Sequence, residues 1–287
     1  MVDINFIKHN YVKKLVLFCF SLIQLSATLR GQELNTAGIC SQLYLGKSKQ
    51  QPLIVGLGGS EGGNAWASDY WKPTRDKFKA DGYAFLALGY FACEGAPDTL
   101  DRIALDRVHD AIIQASKNPA IDNQKIAIIG GSRGADLALL ISSLYRDIKC
   151  VVAIVPSHVA FPGHTAHFST SAWTYKGTEL AFVPVNEEAV PYLMKRDLRR
   201  AFEMMLTDTV AEEKAAIKVE NINGPVLLIS ATDDEIIPST AMSESMIKRF
   251  KTNNFKHHVD HLAIQGNHAE PLKHFDAVFV FLERHFK

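Results

Sequence analysis

An α/β fold with a mostly parallel central sheet flanked by helices is what this sequence predicts, on three observations. Six short runs are almost wholly apolar, as strands covered on both faces must be. Helix-length segments with apolar residues spaced three and four apart lie between them. The alternation continues for more than 200 residues without an internal repeat or a linker, which argues one continuous sheet.

The elements follow in order. Lys8, Lys13 and Lys14 precede the apolar stretch LVLFCFSLIQLSA (15–27), which ends at the small residue Ala27. Positive, apolar and small, in that order, describe a signal peptide or an N-terminal anchor, and the stretch is short for a membrane span. Leu25 stands where a cleavage site prefers a small residue, and Phe18 before Cys19 argues against a lipoprotein. The expectation is a signal or anchor over 1–27 and a single domain over 28–287. Such a chain is exported, periplasmic or secreted, if the segment is a signal, and cytoplasmic otherwise. A membrane is then met only through an uncleaved segment.

The apolar runs are LIVGL (53–57), YAFLAL (83–88), KIAIIG (125–130), CVVAIV (150–155), PVLLIS (225–230) and HLAIQG (261–266). Between the second and third, LDRIALDRVHDAIIQAS carries Ile103, Val108 and Ile112 at helical spacing. After Ser132, the set Leu137, Leu140, Ile141 and Leu144 repeats at i, i+3, i+4 and i+7. From 156 to 224 no strong strand occurs, and Pro156, Pro162, Pro184 and Pro191 precede or open helical stretches. An excursion of that length in a compact domain is expected to be a cap or lid.

Lys and Arg together number 31, as do Asp and Glu, so no basic excess points to nucleic acid. The four cysteines, Cys19, Cys40, Cys93 and Cys150, include no C-x-x-C pair, which argues against a zinc or dithiol motif. If 1–27 is removed, at least one of the remaining three is unpaired, and Cys150 reads as a small buried hydrophobe. The stretch HHVDH (257–261) resembles a metal site, but no third ligand is indicated and a polar strand edge is the expected reading.

Chemistry concentrates at GGSRG (130–134). It fits G-x-S-x-G and lies between a predicted strand and a predicted helix, the setting in which a sharp turn exposes a serine nucleophile. Serine is a weak nucleophile at neutral pH and needs a base with an orienting acid. Both follow in the order Ser, acid, His of the α/β-hydrolase fold. ATDDEIIPS offers Asp234, with Asp233 as the alternative, at the C-terminal end of a strand, where open sheets build their sites. IQGNHAEPLKHF offers His268 in a polar loop before the last helix. A tetrahedral oxyanion needs two amide donors. One expected donor is Arg133, next after the serine; the other lies in GLGGSEGG (56–63), at Gly59 or Ser60. That loop is no dinucleotide fingerprint, because Glu61 stands where the last glycine is required.

Together, LGGSEGG, YAFLALGYFACEGAPDTLDRI, IAIIGGSRGADLALL, VVAIVPSHV, AWTYKG, DDEIIPS and GNHAEP resemble the C-terminal catalytic domain of the type I acyl-CoA thioesterase and bile acid-CoA:amino acid N-acyltransferase family, over residues 50 to 285. The resemblance implies that Ser132, Asp234 and His268 are nucleophile, acid and base, acting through an acyl-enzyme on a small-molecule acyl thioester or ester. It implies hydrolysis, since the amino-acid-conjugating members use cysteine, with no metal or organic cofactor. Characterised animal members carry an N-terminal β-sandwich, which is not expected within the 50 residues that precede the match. The tract 157–184 is expected to line the acyl pocket, with Phe91 and Trp173 as apolar contacts and His158, His164 and His167 packing rather than binding metal. Carboxylesterase or acyltransferase action on exported substrates, and a non-catalytic binding role, are the alternatives.

Overall fold

A computed structural model describes residues 31–287; the expected signal, with Cys19, lies outside the described residues. The chain opens with a hairpin, β1 (Gln32–Thr36) and β2 (Ile39–Tyr44), turned at Ala37-Gly38 with Gly38 at φ +80°. Next come β3 (Gln51–Leu57), α1 (Lys72–Ala80) and β4 (Ala84–Gly89). A two-residue strand, β5 (Ile103–Ala104), leads into α2 (Leu105–Ser116). β6 (Ile121–Gly131), α3 (Arg133–Leu144) and β7 (Ile148–Ile154) complete the centre of the sheet.

Residues 156–224 add no strand to the main sheet. They hold β8 (Trp173–Tyr175), β9 (Thr178–Glu179), α4 (Val190–Met194), α5 (Leu198–Met205) and α6 (Thr209–Ala215). Asp197 and Asp208 cap α5 and α6 by accepting from the Arg200 and Ala211 amides, which lets such short helices start. This excursion has its own apolar cluster, with Val159, Phe161, Ala201 and Met205 packed on Met242. The chain then returns through β10 (Val226–Ala231), α7 (Ser239–Thr252), β11 (Val259–Ile264) and α8 (Phe275–His285).

The eight-stranded sheet runs β1-β2-β4-β3-β6-β7-β10-β11, antiparallel at the hairpin end and parallel from β4 to β11. Alternate residues of the central strands face opposite layers. Leu53, Val55 and Ile128 pack with Val108 of α2 and Leu137 and Ile141 of α3, whereas Ile54, Ala127 and Ile129 pack with Phe78 of α1 and Phe281 of α8.

All six predicted runs are strands of this sheet. The last begins two residues earlier than its apolar pattern suggests, and Ile103, expected on a helix, lies in β5 paired to Trp173. The hairpin was not expected: β1 is half exposed and carries no apolar run to mark it.

Cys40 of β2 and Cys93, beyond β4, form a disulfide across 53 residues, while Cys150 is buried and free, its thiol pushed up by burial. A Cβ on Gly89 would lie 2.6 Å from Cys40 Sγ and 2.6 Å from the Gly63 carbonyl, so the bridge packs beneath the glycine-rich loop after β3. Closing a loop of this length restricts the unfolded chain by an amount worth about 2–4 kcal/mol. Cys40→Ser with Cys93→Ser is therefore expected to lower Tm by roughly 5–10 °C in a thermal melt. A shift under 2 °C would show that the sheet edge is held without the bridge.

Candidate active site

β6 ends at Gly131 and α3 begins at Arg133, leaving Ser132 alone in the turn at φ 53°, ψ −123°. A non-glycine residue there is strained, and the surroundings hold it: its N–H donates to the Ile154 carbonyl at 2.9 Å. The flanking glycines are required by close approach. A Cβ on Gly130 would lie 2.0 Å from the Gly134 carbonyl oxygen, and one on Gly134 would lie 2.3 Å from the Gly58 carbonyl oxygen.

β10 and β11, neighbours at the far end of the sheet, bring the other two residues. His268 Nε2 lies 3.1 Å from Ser132 Oγ, and His268 Nδ1 lies 2.8 Å from Asp234 Oδ1. Asp234 is fully buried and Oδ1 also accepts the Ile236 and Ile237 amides. Burial would raise this carboxyl, but its bond and attraction to His268, with Ser239 and the Ile237 amide, hold it below the ordinary aspartate value. An ionised Asp234 accepts from Nδ1–H, which leaves Nε2 free to receive the serine proton. Asp233 does not compete: it is exposed, and its amide donates to the Gly266 carbonyl at 3.0 Å to brace the histidine loop.

The Arg133 amide is the first of α3 and has no intrahelical acceptor, so it is available to an oxyanion. Gly59 and Ser60 border the same cavity, and a Cβ on Gly59 would lie 3.2 Å from Ser132 Cβ. The Gly59 amide, however, already donates to Glu61 Oε1 at 3.0 Å.

Ser132 and His268 open into a cavity of about 560 Å³. Its apolar lining includes Trp66, Trp71 and Leu272, with Leu193 of α4 and Leu198, Phe202 and Met205 of α5. The tract 157–184 contributes Ser157, Phe161, Pro162, His164 and Phe168. Phe91 and Trp173 do not line the cavity. Phe91 is buried against Tyr90 and Gly62, and pairing of β8 with β5 turns Trp173 inward, where its ring lies 5.7 Å from the Arg133 guanidinium. Of the histidines in that tract, His158 is bonded to Glu212 at 2.7 Å, and His167 is exposed.

Four further residues bear on the site. The buried Arg133 side chain pairs with buried Asp136 at 3.3 Å and donates to the Pro162 carbonyl at 2.8 Å; burial pushes the arginine down and the aspartate up. Asp136 Oδ1 accepts the Ser157 amide. Glu235 accepts the His268 amide at 2.9 Å. Arg199 of α5 donates to the Asp234 carbonyl at 3.0 Å, joining the excursion to the acid loop. The motif identifies Ser132 but carries no mark of these supports. The one legible signal was an arginine and an aspartate three apart on a helix with no other charged residue.

Residues 103–270, more than half of the chain, match the family model described as BAAT / acyl-CoA thioester hydrolase C terminal. The chain belongs to that family. Relatives of this acyl-CoA thioester hydrolase family include the peroxisomal succinyl-coenzyme A thioesterase of Mus musculus, 28% identical over 161 residues, covering 53% of this chain and 34% of that protein. The acyl-coenzyme A amino acid N-acyltransferase 1 of Mus musculus is 25% identical over 170 residues, covering 59% of this chain and 38% of its own length. The match thus spans little more than a third of either relative. Among solved structures, a puromycin-hydrolyzing peptidase of Mycobacterium tuberculosis superposes with a TM-score of 0.62 at 13% identity, over 91% of this chain and 41% of that one. An alpha/beta hydrolase of Penicillium sp. sh18 gives 0.55 at 14% identity, over 89% and 98%. These likenesses show the fold, that of the α/β-hydrolases.

Proposed function

We propose that the protein hydrolyses acyl thioesters through an acyl-enzyme on Ser132. The observation that carries this reading is the 3.1 Å approach of Ser132 Oγ to His268 Nε2 in the lining of an apolar cavity. Ser132 Oγ attacks the carbonyl carbon while His268 Nε2 takes its proton. The C–S bond then breaks, the thiol leaves with that proton, and the acyl group stays on Oγ. Water attacks next, giving its proton to His268, and the carboxylic acid departs as the serine is restored. Asp234 holds the imidazole in the required tautomer and stabilises its charge. The Arg133 amide and one from Gly59 or Ser60 receive the oxyanion.

Family membership supports the thioester as substrate. A second reading, an esterase working on exported acyl esters, is favoured by the Cys40–Cys93 disulfide, since such bridges persist in oxidising compartments. It agrees with the export expectation for residues 1–27. An acyl-CoA series assayed beside p-nitrophenyl esters of the same chain lengths separates the two. In the thioesterase reading, kcat/KM for CoA release exceeds that for the esters and rises by up to about fourfold per methylene until the cavity fills. Turnover confined to the esters supports the second reading. No dependence on chain length would remove the cavity as the acyl site.

Glu61 bears on both readings, because a carbonyl oxygen can use the Gly59 amide only after the Glu61 carboxylate leaves it. Glu61→Ala is expected to raise kcat/KM about ten- to a hundredfold, the worth of one hydrogen bond to a charged group. A tenfold fall would mean instead that the carboxylate holds the loop in shape.

A further inference from the structure

We propose that His258, Asp260 and His285 form a binding site for a zinc-class divalent cation that clamps the ends of the segment carrying His268. His258, the residue before edge strand β11, and Asp260, the strand's second residue, are two apart, which in extended chain sends their side chains to the same face. His258 Nε2 and Asp260 Oδ1 are 2.9 Å apart. The fold supplies the third ligand that HHVDH lacked: His285, in the last turn of α8, stacks on His258 with ring centroids 4.0 Å apart. One ligand atom from each of the three lies within 4.8 Å of the others.

Two imidazoles and one carboxylate suit zinc, nickel or copper, and disfavour magnesium and calcium, which take oxygen. Three protein ligands leave a fourth position for water. Tetrahedral bonds of 2.0–2.1 Å place donor atoms roughly 3.3 Å apart, so the two rings must splay from their stack. His258 is exposed and His285 only half-buried at the end of its helix, which leaves both free to turn.

The position gives the site its consequence. Residues 258–285 run through β11, the loop bearing His268, and α8. A cation would join the two ends of this unit, at the end of β11 remote from the chemistry. Six strand residues put it roughly 20 Å from the His268 loop. The expected effect is on stability, with kcat unchanged.

The test is calorimetric titration of tag-free protein with zinc chloride, paired with thermal melts. One saturable equivalent is expected, with Tm raised by about 5 °C when zinc exceeds its Kd a hundredfold. Magnesium chloride should give no shift. Asp260→Asn and His285→Ala should each weaken binding roughly tenfold or more, since loss of an outer-shell partner alone costs that much. His257→Ala should bind like the parent. Absence of saturable binding, or binding undiminished in His285→Ala, overturns the site.

Discussion

Ser132→Ala is expected to lower kcat by about 10⁴-fold or more while leaving the fold intact. The substitution removes the one atom that meets His268 Nε2 and leaves the rest of the elbow alone. Alanine meets the same backbone strain at φ 53° that serine does, and the Ser132 amide keeps its bond to Ile154. Tm should therefore stay within about 2 °C of the parent. Steady-state hydrolysis of one long-chain thioester, with a melt on the same preparation, checks both parts. A loss below tenfold would mean that the carbonyl is attacked by something other than Ser132.

The second large effect concerns stability. Asp136→Asn leaves the Arg133 guanidinium buried beside the cavity without its counter-charge, its remaining partners being the Phe161 and Pro162 carbonyls and the Trp173 ring. Removing one member of a buried pair costs about 3–5 kcal/mol, which in a domain of this size lowers Tm by about 10 °C or more. Replacing both by apolar residues of similar volume, Arg133→Met with Asp136→Leu, should recover part of that loss, because neither charge is then desolvated while the buried Ser157 amide loses its acceptor. Denaturant unfolding of the single and double variants measures the difference. Equal destabilisation of both would show that the loss in Asp136→Asn does not come from the uncompensated charge of Arg133.

Much of this arrangement was legible because its signals are strong. Strand segments covered on both faces must be apolar, and 53–57 of β3, 84–88 of β4, 126–130 of β6, 150–154 of β7 and 226–229 of β10 are. The elbow was legible because close backbone contacts demand glycine at 130 and 134. Asp234 and His268 were placed by their position after strands, and Asp234, buried where Asp233 is exposed, is the one whose carboxylate lies within hydrogen-bonding distance of His268. What was not legible depended on direction. An aromatic residue near a site reads the same whether it lines the cavity, as Phe202 does, or packs behind it, as Trp173 does. Glu61 stood out only as a misfit to a nucleotide motif, since nothing local tells that its carboxylate turns back onto the Gly59 amide. His285 lies too far along the chain from HHVDH for any spacing rule to join them.

The most direct measurement is the intact mass of the protein, acid-quenched during turnover of a long-chain acyl thioester. The expected result is a fraction of the protein heavier by one acyl group, carried on the peptide containing Ser132 and missing from Ser132→Ala. Thiol release with no acylated protein, undiminished by Ser132→Ala, would contradict the serine acyl-enzyme.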